Sequence, residues 1–193
     1  MVEAEHLRLQ ADAIRLDGEA YRRLLAGDAD GARVILREAA TAYRRSWEVA
    51  PPRSFGRLVG MLKAAVIAGG GADEAAYVRG QIGGAADSPP SWYALGIAAL
   101  VDGDDALARR AAAGMREGSE AFGRAAEAIE ALADSDGRRY AKAVAAIVED
   151  FEQRTEHLTG VPIADTALMF ESLAQRRDLA AAPTSALLPA TSA

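Results

Sequence analysis

WYALGIAALVDGDDALARRAAAGM, residues 92–115, decides the fold. Trp92, Leu95, Gly96 and Ala99 fall on one face of a helix. Val101-Asp102-Gly103-Asp104 interrupts that pattern. Gly tolerates the positive φ of a helix end, and Asp caps the helix that follows. Ala108, Ala111, Ala112 and Met115 then form a second apolar face. The stretch predicts a helix, a tight turn and a second helix folded back on the first. Gly96 and Ala108 let the two backbones approach, with Trp92 and Leu95 filling the space around them.

The hairpin has echoes. Leu25-Ala26-Gly27-Asp28-Ala29-Asp30-Gly31-Ala32-Arg33 aligns without gaps on Val101 to Arg109, at an offset of 108 − 32 = 76 residues. Gly69-Gly70-Gly71-Ala72-Asp73-Glu74-Ala75 supplies a turn between them. Leu132-Ala133-Asp134-Ser135-Asp136-Gly137 supplies another after them. Four turns predict four α-hairpins. Any Ala-rich α-hairpin closes with Gly and Asp, so an unrelated helical bundle stays open as the alternative.

Trp92-x2-Leu95-Gly96, with Ala108 twelve residues after that glycine, resembles the tetratricopeptide repeat, whose period is about 34 residues. Residues 16–33 echo it more weakly. Ala99 stands where the family usually has Tyr, Ala112 where it has a large aromatic, and Glu120 where Pro is common. The resemblance implies a stack whose first helices line a concave groove that binds a protein or peptide. Tyr21, Tyr93 and Ile97 would face that groove, with Arg57 beside them. Core packing beneath a final helix is the competing reading of these positions.

Composition sets the limits. Half of the 193 residues are apolar and only 6% are aromatic. Alanine, the strongest helix former, makes up about a quarter of the chain. No run alternates as a strand requires, so the chain reads as all-α. Residues 1–100 carry 12 basic and 12 acidic side chains, and residues 101–193 carry 10 and 16. An acidic chain of net charge −6 disfavours nucleic acid. Cysteine is absent, which excludes disulfides and zinc–thiolate sites. No apolar run is long enough to cross a bilayer, and the first residues lack an apolar leader core. The expected location is the bacterial cytoplasm, with no membrane association.

In order along the chain, helices are expected over 3–26, from Asp28 or Asp30 to Ala50, from Ser54 to the triple glycine, over 73–82, and across the two halves of 91–116. A seventh starts at Ser119 and an eighth covers 136–158. The buried stripe of the first is Leu7, Ala11, Ile14, Gly18, Tyr21 and Leu25. Gly18 is expected to mark a close helix crossing. Tyr140, Val144, Ile147, Phe151 and Leu158 form the apolar face of the eighth. Ile163, Ala167, Phe170 and Ala174 line a ninth helix with no partner in sequence. It is expected to cover the last apolar face of the stack. Residues 1–178 then make one helical domain, followed by a loose Ala/Pro/Ser-rich tail at 179–193.

No motif points to catalysis. Glu149, Glu152 and Glu156 share a face of the expected eighth helix and form an alternative acidic patch for a metal or a basic partner. Arg154 occupies the place a Glu-x-x-His motif would need before His157, and a solvated face is the preferred reading. His6 and His157 have no nucleophile partner and read as surface or helix-end residues. The triple glycine lacks the Lys-Ser/Thr of a phosphate loop.

The chain is therefore expected to be a non-enzymatic interaction module without metal or cofactor. It would bind a protein or peptide, and a homodimer is possible. Val161-Pro162-Ile163-Ala164-Asp165-Thr166-Ala167-Leu168, with Leu173 to Arg177 and Ser185 to Pro189, resembles the end of some all-α bacterial immunity proteins. That resemblance implies neutralisation of a toxin, and the acidic second half suits a basic one. A helical small-ligand binder or enzyme is a third reading. It predicts a deep pocket with inward-facing charged groups.

Overall fold

A computed structural model describes residues 2–190, with side chains from Glu5 onward. Among the described residues there are nine α-helices and no strand. They are α1 (Val2–Leu25), α2 (Ala29–Glu48), α3 (Gly56–Ile67), α4 (Ala72–Ile82), α5 (Pro89–Asp102), α6 (Asp105–Met115), α7 (Glu120–Ala133), α8 (Gly137–Glu152) and α9 (Asp165–Gln175). Short turns make α1/α2, α3/α4, α5/α6 and α7/α8 antiparallel hairpins. Most consecutive helices pack on one another along the stack, while α3 also meets α5 and α5 meets α7. The first helices of the last three hairpins therefore line one side of the stack.

One device closes three of the four hairpins. Gly27, Gly103 and Ser135 hold φ values of +83°, +76° and +55°. The aspartate that follows each donates its backbone N–H to the preceding helix, Asp28 to Arg23, Asp104 to Ala99 and Asp136 to Ala131, each at 2.9 Å. Its carboxylate then accepts the N–H of Gly31, Leu107 or Arg139 in the next helix. One residue thus ends a helix and caps its successor, which explains the echo between residues 25–33 and 101–109. The α3/α4 turn has no such aspartate. Gly69 and Gly71 supply the positive φ there, and Gly70 bonds back to Ala65 at 2.9 Å.

The helices approach closely where side chains are missing. A methyl added at Gly96 would lie 2.8 Å from Ile129 Cδ1 and 3.4 Å from Ala111 Cβ. Gly96 thus lets α5 meet α6 and α7 together. The Trp92 ring lies against Gly114. The seat of Trp92 on α6 is therefore Gly114 rather than the Gly96 and Ala108 pair.

Three expected details of α1 and α8 differ. In α1 the buried positions are His6, Ala13, Asp17, Gly18, Ala20 and Tyr21, so Gly18 and Tyr21 are buried as expected, while Leu7 is 54% exposed and Leu25 37%. The buried face is rotated from the expected stripe because α1 packs on α2 and is also crossed by a distant loop. Gly18 marks that loop, since the Thr159 carbonyl would lie 3.0 Å from an added methyl. The third difference is the end of α8 at Glu152. Residues 153–164 leave the helix and run back to α1, leaving Leu158 79% exposed.

That return path sets the place of α9. It packs along α3 and α8 on the inner side of the stack, instead of capping the last hairpin. No residue from Ile163 to Ala174 is exposed. Its apolar residues Ala167, Met169, Phe170, Leu173 and Ala174 are all buried, the pattern of a helix enclosed on several sides. The tail lies against the last hairpin. Leu179, Leu187 and Leu188 pack on the core, the Leu187 carbonyl accepts the Ala164 N–H, and Ser185 donates to Glu152. Thus residues 179–190 are docked, and residues 191–193 lie outside the described residues. Among the described residues no helix is long and apolar enough to cross a membrane.

A substitution at either contact glycine tests this arrangement. Gly96→Ala and Gly114→Ala are each expected to destabilise the fold by about 1–3 kcal/mol through overpacking. Gly123→Ala, at a position with open space around it, is expected to be neutral or stabilising. Urea unfolding of the three variants checks the order.

Candidate functional site

Where α9 begins, five helices bring polar side chains into the interior. Lys63 of α3 donates to Asp165 Oδ2 and to Thr166 Oγ1, each at 3.1 Å. Tyr21 of α1 donates to the same Asp165 oxygen at 3.3 Å. Tyr43 of α2 donates to Asp17 Oδ2 of α1 at 2.7 Å. The other Asp17 oxygen and the Tyr93 hydroxyl of α5 are buried without a hydrogen-bond partner.

All of these residues except Tyr21 line a cavity of about 450 Å³ on the inner side of the stack. Asp17, Tyr43, Lys63, Tyr93, Asp165 and Thr166 all line it. Ile14, Val59, Phe122, Ile147 and Phe151 supply apolar walls, and the returning segment contributes Leu158 and Thr159. Arg124, Asp150 and Arg154 also line it, joined by ion pairs of both arginines to Asp150. Phe122 meets the Tyr93 ring edge-on at 6.0 Å, and Arg154 lies 3.7 Å over the Phe151 ring.

The interior tunes these groups. Burial pushes the Asp17 carboxyl up to about 7, although the Tyr43 hydroxyl and Lys63 both oppose the shift. Burial works against the Lys63 charge, but facing Asp165, Tyr93 and Asp17 outweigh it and raise the ammonium above its ordinary value. Burial also raises Tyr21, with the Asp165 charge adding to it, and raises Tyr93 against the opposing Lys63 charge and the nearby Thr166 hydroxyl, which lies outside hydrogen-bond geometry, so both phenols stay protonated.

The residues read from sequence separate here. Tyr93 lines the cavity, and Tyr21 anchors its floor through Asp165. Ile97 is wholly buried in the core and does not line it. Arg57 is buried at 8% exposure in a neighbouring cluster. It donates to Ser46 Oγ at 2.8 Å and Gln10 Oε1 at 2.9 Å and lies 2.7 Å from His6 Nδ1. His6 is therefore an interior residue, not a surface one. No carboxylate pairs with Arg57 among the described residues, and burial lowers its pKa. Glu149 and Glu152 are exposed on α8, but Glu156 lies beyond its end. The three do not share one helix face because the chain has already turned back. Among the described residues no three acidic or imidazole side chains gather as metal ligands.

Asp17, Lys63 and Asp165 escaped sequence reading. A signal existed for two of them. Asp17 sits three residues after Ile14 and four before Tyr21, on a buried face, and Lys63 interrupts the apolar run Met61-Leu62-Lys63-Ala64-Ala65. No family model, curated protein or solved structure matches the chain.

Two substitutions probe the cluster. The unfolded chain ionises Asp17 near pH 4. Because the folded-state value is raised to about 7, folding holds the proton that the unfolded chain releases. Stability from this group is full below about pH 4, falls as pH rises, and levels off above about 7. Asp17→Asn should therefore gain on the order of 2–4 kcal/mol relative to wild type between pH 4 and 8. Parallel urea-unfolding profiles across that range would contradict the assignment. Lys63→Met leaves Asp165 without its cation and is expected to cost about 3 kcal/mol, partly recovered by adding Asp165→Asn. A double-mutant cycle in urea measures that recovery.

Proposed function

We propose that the chain is a non-enzymatic binding protein that recognises a protein or peptide partner at the inner cavity. The carrying observation is the pair of buried, unpartnered polar atoms, Asp17 Oδ1 and Tyr93 OH, in a cavity with apolar walls. An unmade hydrogen bond in the interior costs about 1–3 kcal/mol per group, and a bound ligand that supplies the partner recovers it. The hairpin stack, in the manner of tetratricopeptide-like modules, supplies the inner face. Since α9 fills part of that face, the cavity beside its first turn is what stays open to a partner. A volume of about 450 Å³ suits an inserted side chain or chain end rather than a long helix.

A second reading, a toxin-neutralising immunity protein, has its own observation. In the acidic second half, Arg109, Arg116, Arg124, Arg139, Arg154 and Arg177 all pair with carboxylates of this chain. Among the described residues Arg110, Arg138 and Lys142 are exposed and unpaired, as are Glu117, Glu149 and Glu156, and the excess of 16 acidic over 10 basic side chains in residues 101–193 is the field that would steer a basic partner.

Val59→Trp tests the first reading by filling the cavity from a half-buried position on α3. With a partner captured from the source cell, binding should weaken at least tenfold while the melting temperature changes little. Retained binding moves recognition to the outer surface. In that case, a steep fall in association rate with added salt favours the acidic field.

A further inference from the structure

The cavity's hydrogen-bond capacity specifies more than an apolar guest. Three polar groups from three helices line the cavity. The first is Asp17 on α1. One oxygen is committed to the Tyr43 hydroxyl and the other is free. The second is Tyr93 on α5, buried and with its hydroxyl unpartnered. The third is Lys63 on α3, which has three N–H donors and bonds to Asp165 and Thr166. Each of the three can present a donor when Asp17 carries its proton.

Lys63 pairs with Asp165, and Arg124 and Arg154 share Asp150 while Arg124 also reaches Glu120 at 3.7 Å, so the charges around the cavity balance while Asp17 is neutral. A guest anion is then held by N–H and O–H donors rather than by a surplus of positive charge. The walls of Val59, Phe122, Ile147 and Phe151 offer no further charge and suit an apolar body.

We propose that the cavity receives a carboxylate borne on an apolar body, held by the Asp17 acid, the Tyr93 hydroxyl and the Lys63 ammonium. This rests on the binding-site reading above and names the chemistry of the guest. The carboxylate can come from the last residue of a peptide or from a free monocarboxylic acid. Binding is proton-linked. Ionising Asp17 converts a donor into a second anion beside the guest, and burial places that step at about 7. The groups facing Asp17 are Tyr21 on its own helix, Tyr43 on α2, Lys63 on α3, Tyr93 on α5 and Asp165 on α9, with Arg124, Asp150 and Arg154 across the cavity. The carboxylate guest is ionised throughout the neutral range, so Asp17 supplies the pH dependence.

Calorimetry with four probes decides it. They are an N-acetylated peptide ending in leucine, the same peptide as its C-terminal amide, octanoate and octylamine. At pH 6 the acid peptide should bind at least tenfold more tightly than the amide, and octanoate more tightly than octylamine. Affinity of the acids should fall roughly tenfold or more from pH 6 to 8.5. Asp17→Asn should abolish that fall, since its amide donates at any pH. Tyr93→Phe should weaken the acids several-fold at both pH values, with melting temperatures reported for each variant. Octanoate binding without either peptide keeps the carboxylate inference and removes the peptide reading. Equal binding of acid and amide peptides keeps the peptide reading and overturns the carboxylate. Preference for octylamine, or affinity that rises with pH, also overturns it. If no probe binds, both fail.

Discussion

The Asp165 carboxylate holds the ninth helix inside the stack. It accepts from Tyr21 on α1 and Lys63 on α3, so one side chain ties the first hairpin, the second hairpin and α9 together. The other end of α9 is fastened differently. Arg176 donates to the Gly70 carbonyl in the α3/α4 turn, while Arg177 reaches Asp105 and the carbonyls of Leu100 and Leu132. Those carbonyls belong to the last turns of α5 and α7, where helices leave unpaired acceptors and a negative dipole end. Between the two fastenings, Met169, Phe170 and Leu173 are buried with almost no exposure. A helix of 11 residues would be marginal alone, and burial on several sides is what stabilises it.

The inward α9 also makes the cavity. A hairpin stack that ended at α8 would leave its inner face open to water. The returning segment after Glu152 crosses to α1 at Gly18, and α9 fills the inner side beyond it. What remains is a compartment with apolar walls and polar groups among them. Desolvation there raises the Asp17 carboxyl, and the facing tyrosines remain protonated. Unpartnered groups in such a place weaken the fold.

Alanine explains how so many helices fit into a small volume. Ala94, Ala98, Ala99, Ala108, Ala111, Ala112, Ala126 and Ala128 are completely buried. Small side chains bring backbones together but bury little area each. The larger groups, Tyr21, Tyr140, Phe170, Leu58, Leu62 and Ile129, therefore contribute a disproportionate share of the apolar burial. Tyr140 shows the polar condition on such burial. Its hydroxyl donates to Glu171 at 2.6 Å, and Glu171 also receives the N–H groups of Ala181 and Ala182 in the tail. Docking of the tail is thereby linked to the α8–α9 contact.

The sequence by itself determined the helices and the turns between them. Apolar spacing, Ala content and the Gly-Asp pairs act within a few residues, and α2, α4, α5, α6 and α7 lie close to where those signals put them. The capping aspartates at 28, 104 and 136 are local chemistry, and the turns that contain them are legible, although sequence alone does not separate Asp28 from Asp30 and shows Asp136 only as part of a turn. Tertiary structure alone decided the rest. The eighth helix has the periodicity to continue to Leu158, yet it stops at Glu152 because the chain must return across α1. The face that α1 buries depends on what crosses it, so Leu7 points to solvent and Asp17 to the interior. Lys63 and Asp165 are 102 residues apart, and no local pattern relates them. Periodicity reports which side of a helix is apolar, but a buried ion pair and a cavity arise from distant segments sharing one interior.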